Sequence, residues 1–125
     1  LAHARRHNVT NLVLLSGDKH YLAAVQLGDG LYEFSASPVH AFSFDAPFGN
    51  SSAERTLAFA TGTRGHGVVH VDTAAQPPYF DVALVQRSHA APLFRQRYVL
   101  AADGRIRAAA HAAGQASVEA VDGVR

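Results

Sequence analysis

The chain has 125 residues, 48% of them apolar and 17% charged, with a formal net charge of +1. That is the composition of one globular domain with a modest core, not of a disordered segment. The absence of cysteine excludes disulfides, thiolate zinc sites and thiol catalysis; the eleven scattered lysines and arginines form no basic stripe for nucleic acid, and no apolar run approaches the ~18 residues of a membrane span.

In chain order, Leu1 to Asn8 is rich in helix formers and basic toward its end, which predicts the last turns of a helix capped by Asn8. Since the chain starts at Leu1 and contains no Met, it is expected to be a piece of something longer. Val9 to Ser16 is continuous enough in apolar residues to predict a strand buried on both faces. It ends in the motif Asn11-Leu-Val-Leu-Leu-Ser-Gly-Asp-Lys-His20, which delivers Asp18 and His20 onto a turn where Gly17 lets the backbone reverse. Tyr21 to Leu27 and Leu31 to Ser37 read as strands joined by a Gly28-Asp29-Gly30 hairpin turn, with Pro38 ending the second.

Val39 to about Arg55 reads as a long loop pinned to the body by Phe42, Phe44 and Phe48. Gly67 to Asp72, Tyr79 to Gln86 and Phe94 to Leu100 are three further strands, and sequential hairpins of this kind imply an antiparallel sheet. Asp103-Gly104 makes a turn. From Ala101 to Arg125 the chain reads as a low-complexity tail rich in Ala, Gly and Val, unordered or weakly helical. The fold class expected is α/β (α+β): one buried strand feeding a site, then an antiparallel half-sandwich.

Asp18 and His20 are the residues whose chemistry stands out. A carboxylate and a neutral imidazole suit Zn, Fe or Mn, and the carboxylate alone suits Ca. Such sites take three or four protein ligands, and no other tight cluster of acids and histidines is present. Read by itself, the motif is either half of a metal site or a turn after a strand with an incidental histidine. Ser16 lacks a G-x-S-x-G elbow and is set aside as a nucleophile. Thr61-Gly-Thr-Arg-Gly-His-Gly67 has glycines and a basic residue but no P-loop ending, so it reads as a turn. His66 and His70 would stand ~13 Å apart on a strand, too far for joint chelation. His3 and His7 read as a solvated helix end. An anion-binding surface built on Arg64 and Lys19 is a further reading.

The order of these pieces resembles the C-terminal part of the alkaline phosphatase D (PhoD-like) family, within the calcineurin-like metallophosphoesterases. Asn11 to His20 is similar to that family's late Leu-Ser-Gly-Asp-x-His element, and Leu31-Tyr-Glu-Phe-Ser-Ala-Ser-Pro38 to its Leu-Tyr-Glu strand. Gly65-His-Gly-Val-Val-His-Val-Asp72 is similar to its Phe-Gly-x-Val-x-Val-Asp strand, and Tyr79 to Leu100 to its final hairpin. The resemblance covers residues 1–100 and implies part of a four-layer α/β/β/α sandwich, mostly antiparallel in this fragment. It implies a metal-dependent hydrolase, an alkaline phosphatase or phosphodiesterase of bacterial and exported (periplasmic or extracellular) type. It also implies divalent metal ions (Ca, Fe, Zn or Mn), a phosphate ester substrate, and His20 with Asp18 as metal ligands. The wider superfamily has Gly-His-x-His at that place, so Asp18 stands where a histidine would and either ligates or orients. The family's early Asp-x-His, Gly-Asp-x-x-Asp and Asn-His elements do not occur in the chain, so these residues are expected to be inactive without them. The alternative expectation is a non-catalytic β-rich accessory module or degenerate relative.

Overall fold

The computed structural model describes residues 2–43 and 56–110. A short helix α1 (Ala2–Arg6) is followed by eight strands: β1 (Leu12–Ser16), β2 (Leu22–Gly28), β3 (Leu31–Ala36), β4 (Thr56–Thr61), β5 (Gly65–Asp72), β6 (Tyr79–Gln86), β7 (Pro92–Leu100) and β8 (Ile106–Ala108). They form two four-stranded sheets, ordered β1-β3-β2-β4 and β5-β6-β7-β8. Pairing is antiparallel throughout except between β1 and β3, which run parallel. Among the described residues no helix is long and apolar enough to cross a membrane.

The helix ends as its sequence predicts. Asn8 takes a left-handed conformation (φ 51°), which asparagine tolerates better than most residues, and the Val9 N–H donates to the Ala4 carbonyl at 2.9 Å. The β2–β3 hairpin turns where two glycines were expected to permit it. Gly30 has φ 74°, and a Cβ there would collide with the Thr10 carbonyl, so conformation and space both demand glycine.

The two sheets face each other across one core. Alternate residues Leu22 and Ala24 of β2 and Tyr32 and Phe34 of β3 meet Val82 and Leu84 of β6, Tyr98 of β7 and Ile106 of β8. Their period of two is the strand period, so each contributes its partners from one pleated face. Aromatic rings fill the centre: Tyr98 lies 4.7 Å from Tyr32, 5.4 Å from Phe34 and 5.0 Å from Phe80, centroid to centroid. The opposite face of the first sheet is apolar as well, with Ala23, Val25, Leu27 and Leu31 buried. The opposite face of the second sheet mixes charged side chains with exposed Val68. There Arg97 holds Asp81 through two hydrogen bonds of 2.8 Å, and its guanidinium lies 3.9 Å from the Tyr79 ring centroid.

The structure changes the expected fold at several places. The described residues are largely β, with five residues in α1. β1 begins at Leu12 and not at Val9. It lies at the edge of its sheet with β3 as its one partner there, so Leu15 is 65% exposed and the strand is not buried on both faces. Phe42 does not pin the loop into the core; it is 61% exposed, while Phe44 and Phe48 lie outside the described residues. β4 occupies Thr56–Thr61, a stretch not expected to be a strand. The reading of an unordered tail from Ala101 gives way to β8, where Ile106 completes the core and pairs with Leu100; the tail from residue 111 lies outside the described residues.

Charge and burial set a pH dependence. Hydrogen bonds from Arg97 hold Asp81 below the ordinary carboxylate value of 3.8, and those from Arg107 do the same for Asp103. Burial pushes Tyr98 above its ordinary 10.0. It also raises Tyr32, against the opposing pull of the Ala108 backbone hydrogen bond and Arg107. The depressed carboxylates contribute stability that is whole above pH 3.8 and is lost as pH falls through their lower folded values. The raised tyrosines contribute stability that is whole below pH 10.0 and is lost as pH rises through their higher folded values. The urea midpoint should therefore fall on both sides of a plateau between about pH 5 and 9. Asp81→Asn should flatten the acid limb and Tyr98→Phe the alkaline one; unchanged slopes in both variants would contradict this assignment.

Candidate functional site

The turn from Gly17 to His20 leaves the C-terminal end of β1 where that strand runs parallel to β3. In parallel arrangements, ligand sites collect at the carboxyl ends of the strands, where loops converge. A Cβ built on Gly17 would lie 3.8 Å from the Ala36 carbonyl oxygen and 3.9 Å from Ser37 Cβ, so the turn abuts the end of β3. Asp18 (φ 67°) and His20 (φ 58°) are both left-handed. For residues other than glycine this conformation is uncommon and costs about 1 kcal/mol or more. It falls on the two residues singled out as ligands. Asp18 and Lys19 are exposed and His20 is partly exposed.

The orientation of His20 is fixed by a hydrogen bond. Its Nδ1 lies 2.7 Å from the Phe42 carbonyl oxygen, and the two rings stand 4.8 Å apart. A carbonyl only accepts, so Nδ1 carries the proton and donates it. In the neutral ring the lone pair is then on Nε2. Histidines that ligate metals are held in this way, with the second ring nitrogen donating to a carbonyl or carboxylate. Beneath the turn, the Ser16 hydroxyl donates to Glu33 Oε1 at 2.8 Å and ties β1 to β3. Ser35, the register partner of Ser16, is 4% exposed, and its hydroxyl has no hydrogen-bond partner among the described residues.

As donors for a divalent ion, the Asp18 carboxylate and His20 Nε2 fit by chemistry and by tautomer. They are two ligands of the three or four such an ion takes, and among the described residues no group of three or more acids and histidines gathers. His66 and His70 lie on β5 opposite Val85 and Asp81; the rings of His3, in α1, and His7, just beyond it, are 4.2 Å apart and tilted.

Sequence reasoning missed a second feature. The loop leaving β3 passes from the turn to a cleft of about 440 Å³ lined by Ser43, Thr63, Arg64, Gln86, Arg87 and Ser88. The Pro38 carbonyl in this loop accepts from the Gly65 N–H at 2.9 Å, and His40 Nδ1 lies 3.3 Å from Arg87 Nη1. Arg64 was set in a glycine-rich turn and paired with Lys19; Lys19 is not among the residues lining the cleft, whose second cation is Arg87. Register could have found the pair, since antiparallel β5 and β6 set Gly65 against Gln86, but no local motif marks Arg87. Comparison with protein-family models, with curated proteins and with solved structures finds no match to this chain.

Proposed function

We propose that the chain is the C-terminal portion of a metal-dependent phosphoric ester hydrolase of the PhoD-like kind, contributing His20 and Asp18 to its metal site. The hydrogen bond from His20 Nδ1 to the Phe42 carbonyl carries this reading. It fixes the tautomer that a ligating imidazole needs, on a residue held in an uncommon backbone conformation. Two further observations support it. The turn lies at the carboxyl ends of parallel strands, and the first sheet buries apolar residues on both faces, as in a sandwich whose sheets are covered by a further layer. The family's four-layer α/β/β/α architecture belongs to this proposal.

Within that reading, the chain's own residues have defined parts. His20 presents Nε2, oriented by Phe42, and Asp18 presents a carboxylate from the same turn. Ser16 and Glu33 tie the strand end that carries both residues. A bound divalent ion supplies polarisation of the phosphoryl oxygen and activation of water. The test is hydrolysis of aryl phosphate mono- and diesters by the longer protein, with His20→Ala beside the parent. A His20→Ala protein that keeps full activity and metal content would instead support a non-catalytic β-rich module.

A further inference from the structure

The strand register places two like charges face to face. Gly65 pairs with Gln86, and one rung further the Arg87 N–H donates to the Arg64 carbonyl at 2.8 Å. Arg64 and Arg87 therefore stand opposite each other at the end of the β5–β6 ladder, and both line the same cleft. Like charges directly opposite on a sheet destabilise it. Among the described residues no carboxylate lines the cleft or forms an ion pair with either guanidinium. A local rule broken with no compensating acid among the described residues is the kind of place where function sets the sequence.

The remaining lining says what would compensate. Ser43, Thr63 and Ser88 bring hydroxyls and Gln86 an amide, groups that donate to oxyanions. Two guanidinium forks offer paired N–H donors matched to phosphate oxygens. An arginine can only donate, so His40 Nδ1 accepts from Arg87 Nη1, which restrains that guanidinium beside the cleft. The space of about 440 Å³ exceeds what one phosphate needs and leaves room for an esterified group.

We infer that the Arg64–Arg87 cleft binds a phosphate-type oxyanion, either inorganic phosphate or the phosphoryl group of an ester. The loop that carries Phe42 to His20 also carries Ser43 into the cleft, so an anion held there lies next to the candidate metal turn. The inference needs neither the metal nor the hydrolase reading, since binding through arginines and hydroxyls proceeds without either.

The experiment is titration of the 125-residue chain with inorganic phosphate, and separately with glycerol phosphate, at low ionic strength and in the presence of a chelator. Amide chemical shifts give the location and calorimetry gives the affinity. Saturable shifts should centre on Arg64, Gln86, Arg87 and Ser88, and added salt should weaken binding. Arg64→Gln and Arg87→Gln should each weaken it about tenfold or more, whereas Arg95→Gln, outside the cleft, should leave it unchanged. Binding of inorganic phosphate alone assigns the site to the free anion, and binding of both assigns it to the phosphoryl group of esters as well. Absence of saturable shifts in the parent chain, or shifts centred elsewhere, would overturn the inference without touching the metal reading.

Discussion

Tyr98→Ala is expected to remove a large part of the stability of the folded chain. The Tyr98 ring is the most connected aromatic contact between the sheets, packed on Tyr32 and Phe34 of β3 and stacked on Phe80 of β6, and the residue is 3% exposed. Truncating a buried aromatic costs about 3–5 kcal/mol through lost transfer energy and the cavity left behind. A domain of this size is stable by about 5–15 kcal/mol in total. The two sheets have little else to replace the ring, because Leu22, Val82 and Leu84 already fill the remaining centre. Tyr98→Phe keeps all three ring contacts and should lower the urea midpoint far less. Equal midpoints for Tyr98→Ala and the parent would mean that the two sheets are not held through this cluster.

His20→Ala should leave the fold in place and abolish the proposed chemistry. The side chain is partly exposed and outside both apolar clusters, so its loss removes no core. Its left-handed backbone is no easier for alanine, so the turn gains no relief from the change. In the longer protein, loss of a ligating imidazole should lower phosphoester hydrolysis by about a hundredfold or more and reduce bound metal. Asp18→Asn separates ligation from orientation: a ligating carboxylate should cost metal content as His20 does, and an orienting one should cost rate with the metal retained. Hydrolysis and metal content equal to the parent in His20→Ala would remove this residue from the site.

Much of the sheet structure was legible because strands announce themselves by alternation. Tyr79 to Gln86 was readable to the residue, since Phe80, Val82 and Leu84 face inward between outward Tyr79, Asp81 and Ala83. The β2–β3 hairpin was readable because Gly28-Asp29-Gly30 has little other use. β1 was read as doubly buried because its apolar run is continuous, yet continuity does not tell a central strand from an edge, and Leu15 is exposed. β8 was missed because three residues, Ile106 to Ala108, are too few to show a period. Its existence depends on pairing with β7, which is a tertiary fact.

The site divides in the same way. Asp18 and His20 were visible because residues two apart on a turn share a neighbourhood by chain connectivity alone. The hydrogen bond that orients His20 comes from Phe42, across a separation of 22 residues, and follows from the path of the loop after β3. Arg64 and Arg87 are brought together by ladder register, which no composition or motif expresses.

If this chain completes a metal site begun elsewhere in a longer protein, the DNA upstream of the Leu1 codon encodes the rest of that site. The expected result is an in-frame extension carrying the early Asp-x-His, Gly-Asp-x-x-Asp and Asn-His elements that would supply the remaining ligands beside Asp18 and His20. A stop codon in frame immediately before a genuine start at Leu1 would contradict it, leaving the Gly17–His20 turn with two donors and no site to complete.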